Sequence, residues 1–211
     1  MFENKTIMPL FPTNVWAHDL APETRAAMDD DLAARIDALL TPRPKIGPGE
    51  TWQTRNDLLG DPAFAALIAV VREAVDGVLS FLDAEPTPYE VTGCWANINP
   101  SGAPHSMHSH GNNFLSGVYY LRTGQGSDSI TFFDPRNEVG IITPRFTKVT
   151  QHNSRTVHLE AKAGRLVLFP SWLKHAVAPN QSQAERISIA FNIMFSDFTR
   201  AVATPRWKGI D

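Results

Sequence analysis

Four histidines and one arginine stand where chemistry could be done. His105, His108 and His110 crowd into PHSMHSHG, just ahead of the apolar run NNFLSGVYYL; His175 closes a second run, GRLVLFPSWLKH, and Arg186 opens a third, RISIAFNIMF. His108 and His110 are two residues apart, so on an extended strand both imidazoles leave the same face and can converge on one ion. A metal held by histidines with positions left open needs such a pair and at least one further group brought in by the fold. His175, following Pro170-Ser171-Trp172 at the end of a buried-looking strand, is the natural third. His105, three before His108, faces the other way on a straight strand, which suits a supporting place beside the ligands better than one on the ion.

Alternation along ERISIAFNIMF puts Arg186, Ser188, Ala190 and Asn192 on one face and Ile187, Ile189, Phe191 and Ile193 on the other. The apolar face needs a layer to pack against. The polar face presents a guanidinium and a hydroxyl to the interior, where an arginine needs an anion, and a planar carboxylate matches its fork. An internal ion pair with an acidic side chain would satisfy the same arginine.

These groups must be held by a scaffold, and the rest of the chain reads as one. Ile7 to Trp16 is apolar but broken by Pro9 and Pro12, as in an edge strand or an extended arm. Pro22 suits a first helical turn, and Met28, Leu32, Ile36 and Leu39 repeat at helical spacing. Thr41 to Glu50, with three prolines and two glycines, is a loop. Asp61-Pro62 starts a second helix whose stripe is Phe64, Leu67, Ile68, Val71, Val75, Val78, Leu79 and Leu82. From Tyr89 the texture changes to short strands: YEVTGCWANI, NNFLSGVYYL, SITFFD, RTVHLEA, GRLVLF and ERISIAFNIMF. The expectation is a single domain over 1–211, mainly β, with two helices in the N-terminal half bracing an antiparallel sandwich or jelly-roll barrel. Residues 1–88 supply the N-terminal strand and supporting helices, and residues 89–198 the core.

Composition narrows the classes. With 22 acidic and 19 basic residues the net charge is −3 and no run of lysine or arginine stands out, which argues against a nucleic-acid face. One cysteine, Cys94, rules out an intrachain disulfide and thiol-rich zinc sites. No apolar run approaches a membrane span and the start lacks a signal-peptide pattern, so a cytosolic protein without a membrane partner is the default. His18, His152 and His158 read as surface residues, and Trp52, Trp95 and Trp172 as core. Trp52 with Arg55, and Asp134 with Arg136, have a second reading at a substrate channel or entrance; for the latter pair a turn closed by Pro135 serves as well.

In this order and spacing the motifs H-x-H, LSGVYYL, FPSWLKH and ERISIAFN resemble the Fe(II)- and 2-oxoglutarate-dependent dioxygenases, closest to a set of uncharacterised oxygenases within them. The resemblance covers Tyr89 to Phe195, and LFPTNVW near the start belongs to the same pattern. It implies a double-stranded β-helix, or cupin-like jelly roll, that binds Fe(II), 2-oxoglutarate and O2. Oxidative decarboxylation to succinate and CO2 would then be coupled to hydroxylation of a C–H bond in a small molecule or a protein side chain. Carried onto this chain, His108 and His175 match the first and distal ligands, and Arg186, with Ser188 beside it, matches the grip on the distal carboxylate. Tyr120 matches a tyrosine that reaches the same carboxylate, and Asn99 lies near a further cosubstrate contact. His105, Asn192 and Trp95 are candidates for support or substrate contact.

The departure is His110, where most of the family has a carboxylate. Three neutral imidazoles would leave Fe(II) at +2 and strengthen its hold on an anion. The same donor set also suits a three-histidine dioxygenase that uses no 2-oxo acid, a zinc hydrolyase with one open position, or a barrel that only binds a ligand. If His110 stands off the metal, Asn112, Asn113 or water takes its place. Members that demethylate nucleic acids carry a second arginine six residues after the first; that position is Asn192 here. Substrate choice falls to the 41–60 loop, the 122–129 turn and the 136–156 segment.

Overall fold

The structure is a computed structural model that describes residues 1–42, 44–47, 49–125 and 129–202. Arg43 and Pro48 of the 41–60 loop, residues 126–128 of the 122–129 turn and the tail 204–211 lie outside the described residues. The elements run β1 (Trp16–Asp19), α1 (Pro22–Ala26), α2 (Asp29–Leu39), β2 (Trp52–Gln53), α3 (Ala65–Phe81), β3 (Tyr89–Asn99), β4 (His105–His108) and β5 (Leu115–Arg122). Then come β6 (Ser129–Phe133), β7 (Thr156–Glu160), β8 (Arg165–Pro170), β9 (His175–Val177), β10 (Arg186–Phe195) and α4 (Ser196–Val202).

The strands form two antiparallel sheets, one in the order β1-β8-β5-β10-β3-β2 and one in the order β4-β9-β6-β7. This is the jelly-roll arrangement. The large sheet is buried on both faces, and strand alternation decides which residue goes where. Ile187, Ile189, Phe191 and Ile193 of β10, Leu166 and Leu168 of β8 and Tyr119 of β5 pack on one side with Leu32, Ile36, Leu67, Val71, Val75 and Val78 of the helices. Val118 and Tyr120 of β5 and Val167 and Phe169 of β8 face the other way, joining Ile130 and Phe132 of the small sheet. Burial of each such side chain stabilises by about 1.5–3 kcal/mol before entropy is subtracted. The two tyrosines of YYL therefore do different work. Tyr119 donates its hydroxyl to Asp29 at the start of α2, 2.6 Å away, and Tyr120 points inward.

Of the two readings of Ile7 to Trp16 the extended arm holds: Ile7, Met8, Leu10 and Phe11 are exposed, Pro9 and Pro12 have no N–H to offer a sheet, and the edge strand starts only at Trp16. Four expectations need correction. The first helix is two, α1 and α2, parted at Ala27-Met28, although Met28 keeps its place in the core. The stripe of α3 ends early, because Leu82 sits past the helix end and is 43% exposed. Trp172 is 55% exposed, since it lies in the tight turn between β8 and β9 rather than on either strand. Asp61 does accept from the Ala63 amide (3.1 Å), but the turn it caps is a 3-10 turn, Pro62–Phe64, leading into α3. Among the described residues no helix is long and apolar enough to cross a membrane.

Candidate metal centre

Two very short strands bring the histidines together. β4 and β9 pair antiparallel with His108 directly opposite His175, and the two rings lie 4.3 Å apart. His110 sits two residues beyond the end of β4, held by its own backbone, whose N–H donates to the carbonyl of Ser171 at 2.9 Å. The result is that ring nitrogens of His108, His110 and His175 all lie within 4.8 Å of one another.

The hydrogen bonds of two rings favour one tautomer. Nδ1 of His108 is 2.7 Å from the carbonyl of Ser106, and Nδ1 of His175 is 3.0 Å from that of Leu173. A carbonyl only accepts, so each Nδ1 carries the hydrogen and each Nε2 keeps a lone pair for a metal. Burial pushes His110 down to about 4, with the neighbouring His108 adding to the effect. Burial likewise takes His175 to about 4, against its bond to Leu173 and with the nearby histidines helping. Neutral imidazoles at pH 7 are what a divalent transition metal requires, so this donor set fits one.

The strand is not straight at His105. A register shift lies between His105 and His108, and it turns the His105 ring onto that of His108, with centroids 4.6 Å apart and planes 19° apart. His105 thus borders the same pocket without joining the three converging rings. The pocket, about 50 Å³, runs from these rings toward Arg186. Arg186 is 2% exposed and stands across from Asn99 of β3. Ser188 lies between Asn97 on one neighbouring strand and Tyr120 on the other. Val118, Ile130, Phe169 and Val177 supply apolar wall, and no Asp or Glu is found among the described residues lining the pocket. Burial lowers the pKa of the Arg186 guanidinium, Tyr120 opposing, and pushes the Tyr120 phenol well above its usual value, so the phenol stays a neutral donor. The pocket thus has a guanidinium at one end and three imidazoles at the other.

The remaining candidates divide. Asn99 lines the pocket and donates to the Thr51 hydroxyl (2.7 Å), while its carbonyl accepts from Asn180 (2.9 Å). Trp95 lines it too, half-buried, its ring 5.9 Å from that of His110. Asn192 does not; it accepts a hydrogen bond from Ser116 (2.7 Å) and borders a separate pocket with Asn112 and Asn113. Trp52 packs on the core, Arg55 is exposed and pairs with Asp57, and Arg136 forks onto Asp134 within its own turn. His18, His152 and His158 are exposed. Asn97 escaped the sequence reading, although it shares the parity of Trp95 and Asn99 on β3 and could have been found from it. Ser171 gave no such signal, since it acts through a backbone carbonyl.

Residues 93–192, a segment that contains His108, His110, His175, Arg186, Ser188, Tyr120 and Asn99, match the model of a family described as "Putative 2OG-Fe(II) oxygenase". No curated protein sequence matches the chain. Among solved structures, HygX from Streptomyces hygroscopicus with nickel and 2-oxoglutarate bound is similar at 11% identity and a TM-score of 0.61, over 87% of this chain and 83% of that one. A Pseudomonas putida prolyl-4-hydroxylase is similar at 18% identity and 0.58, over 86% and 91%. A Trichoplax adhaerens prolyl hydroxylase, solved with a hypoxia inducible factor oxygen degradation domain peptide fragment, is similar at 14% identity and 0.59, over 89% and 86%. At these identities the solved structures speak for the fold, and the family match speaks for the segment that holds the site. Over residues 93–192, just under half of the chain, the sequence is similar to the 2-oxoglutarate- and Fe(II)-dependent oxygenases.

Proposed function

We propose that the protein couples oxidative decarboxylation of 2-oxoglutarate to hydroxylation of a C–H bond in a small molecule or a protein side chain. The observation that carries this reading is one pocket, free of lining carboxylates among the described residues, that joins three converging imidazoles to a buried arginine.

His108, His110 and His175 hold Fe(II), the hydrogen bonds of the first and last to backbone carbonyls keeping Nε2 directed at the ion. Arg186 grips the distal carboxylate of 2-oxoglutarate, with the hydroxyls of Ser188 and Tyr120 beside it and Asn99 across the strand pair. Val118, Ile130, Phe169 and Val177 keep water from the bound oxo acid. His105 braces His108 by stacking. When bound, iron with the 2-oxo acid supplies O2 activation, giving succinate, CO2 and an oxidising equivalent for the C–H bond. Because imidazole ligands carry no negative charge, the ion would keep its full +2, which favours an anionic cosubstrate.

A three-histidine centre that needs no 2-oxo acid is the second reading, favoured by His110 standing in the carboxylate's place. Arg186 weighs against it. The test is succinate formation from 2-oxoglutarate by Fe(II)-loaded protein in air, followed by NMR. Slow turnover without any added substrate, lost in His108→Ala, is expected; no succinate above an iron-only control, with iron bound, would overturn the proposal.

A further inference from the structure

A second cavity also borders Trp95. It measures about 360 Å³, and Trp95 borders both it and the histidine pocket. Its polar lining is made of side-chain amides and hydroxyls: Asn56, Asn112, Asn113, Asn192, Thr92 and Thr199. Phe198 of α4 and Trp95 are the aromatic residues of the lining. None of its described lining residues is Asp, Glu, Lys, Arg or His.

Its placement ties it to the metal centre. Asn112 and Asn113 come two and three residues after His110, and Asn192 continues the face of β10 that begins with Arg186, Ser188 and Ala190. Two of the amides are held in fixed orientation. Oδ1 of Asn192 accepts from Ser116 (2.7 Å); Oδ1 of Asn113 accepts from Thr92 (2.7 Å) while its Nδ2 donates to the carbonyl of Gly111 (3.0 Å). Gly93, across from Asn192 in the strand register, leaves the floor low.

We propose that this cavity holds the substrate, and that the substrate presents an uncharged, hydroxyl-rich ring, a sugar or cyclitol unit, to it. The proposal rests on the oxygenase reading above. An ionised ligand would meet no countercharge among the described lining residues, and a purely apolar one would displace water from the amides and hydroxyls without replacing its hydrogen bonds. Hydroxyls satisfy amide donors and acceptors alike, and flat aromatic faces suit the C–H face of a ring. A peptide that adds as a strand is disfavoured because β3 at this level is already bonded to β10 and, through the Cys94 amide, to the carbonyl of Asn56 (3.1 Å).

The experiment is ligand-observed NMR with Fe(II)-loaded protein under nitrogen, using methyl α-glucopyranoside and myo-inositol as probes. Glucuronate, glucosamine and a capped Gly-Pro dipeptide serve as the charged and peptide comparisons. Either neutral probe should bind at least tenfold more tightly than all three comparisons, and Gly93→Leu, which fills the floor, should abolish that binding. A Cβ at Gly93 meets nothing closer than 3.7 Å, so Gly93→Ala should fold and retain it. Thr199→Trp, on α4, blocks the same space from another element should Gly93→Leu fail to fold. Binding of neither neutral probe, tighter binding of a charged probe or the peptide, or indifference to both blocking variants would overturn the assignment. The visible band of bound 2-oxoglutarate, read on the same samples, separates this from the reading it rests on. A band without neutral-probe binding sinks the cavity assignment alone. Probe binding without a band supports the cavity and sinks the cosubstrate reading.

Discussion

The backbone amide of His110 donates to the carbonyl of Ser171, 2.9 Å away, so the loop after β4 and the turn before His175 are one hydrogen-bonded unit. Ser171 is fully buried, and its hydroxyl lies 2.9 Å from that of Ser116, which in turn donates to Asn192. Two strands, β5 and β10, and the turn after β8 thus fix where His110 stands. Ser116→Ala removes the middle of this chain and leaves buried polar atoms short of a partner, at a cost of about 1–3 kcal/mol. A lower urea midpoint and weaker Fe(II) retention against a chelator are expected; an unchanged midpoint would show that the network does not hold the loop.

Acid should loosen the metal-free protein earlier than carboxylate titration alone predicts. His105, His110 and His175 are each held at about 4 by burial, against 6.5 in the unfolded chain. Between those values the unfolded state binds more protons than the native state, so stability falls as the pH drops from 6.5 toward 4. Melting temperatures of metal-free protein from pH 7 to 5 should decline steadily. A flat profile over that range would mean the rings are not buried as described.

Gly117 on β5 is a packing requirement. A Cβ there would lie 2.4 Å from ring atoms of Phe191 and 2.9 Å from Leu168, on the two strands that flank it. Gly117→Ala should cost about 1–3 kcal/mol by overpacking, read as a lower denaturant midpoint. A midpoint that rises, as strand propensity alone would suggest, would contradict the packing.

Much of the architecture could be read from alternation, because β5, β8 and β10 are long enough for parity to sort their side chains between helix layer and interior. Arg186 and Ser188 were placed that way, and the isoleucines opposite them met the helices as expected. Parity failed where strands are three or four residues long. β4 carries a register shift that turns His105 toward the pocket, and β9 is too brief to show any period, so its histidine was identified from the run before it. Trp172 departs from a core place for a related reason, since hydrophobicity says nothing about a residue in a tight turn. The amide-lined cavity gave no sequence signal at all, because its residues come from five separate stretches and none is unusual alone.

The central claim is that three histidines and Arg186 together hold an iron-bound 2-oxo acid. The most direct test is an anaerobic titration of Fe(II)-loaded protein with 2-oxoglutarate, following the visible charge-transfer band in the wild type, His110→Ala and Arg186→Ala. The account predicts a saturable band in the wild type. Arg186→Ala should weaken binding by about 2–5 kcal/mol, the scale for truncating one partner of a buried charged pair. His110→Ala should lose iron or the band. No band in wild-type protein with iron bound, or a loss under tenfold in Arg186→Ala, would contradict it.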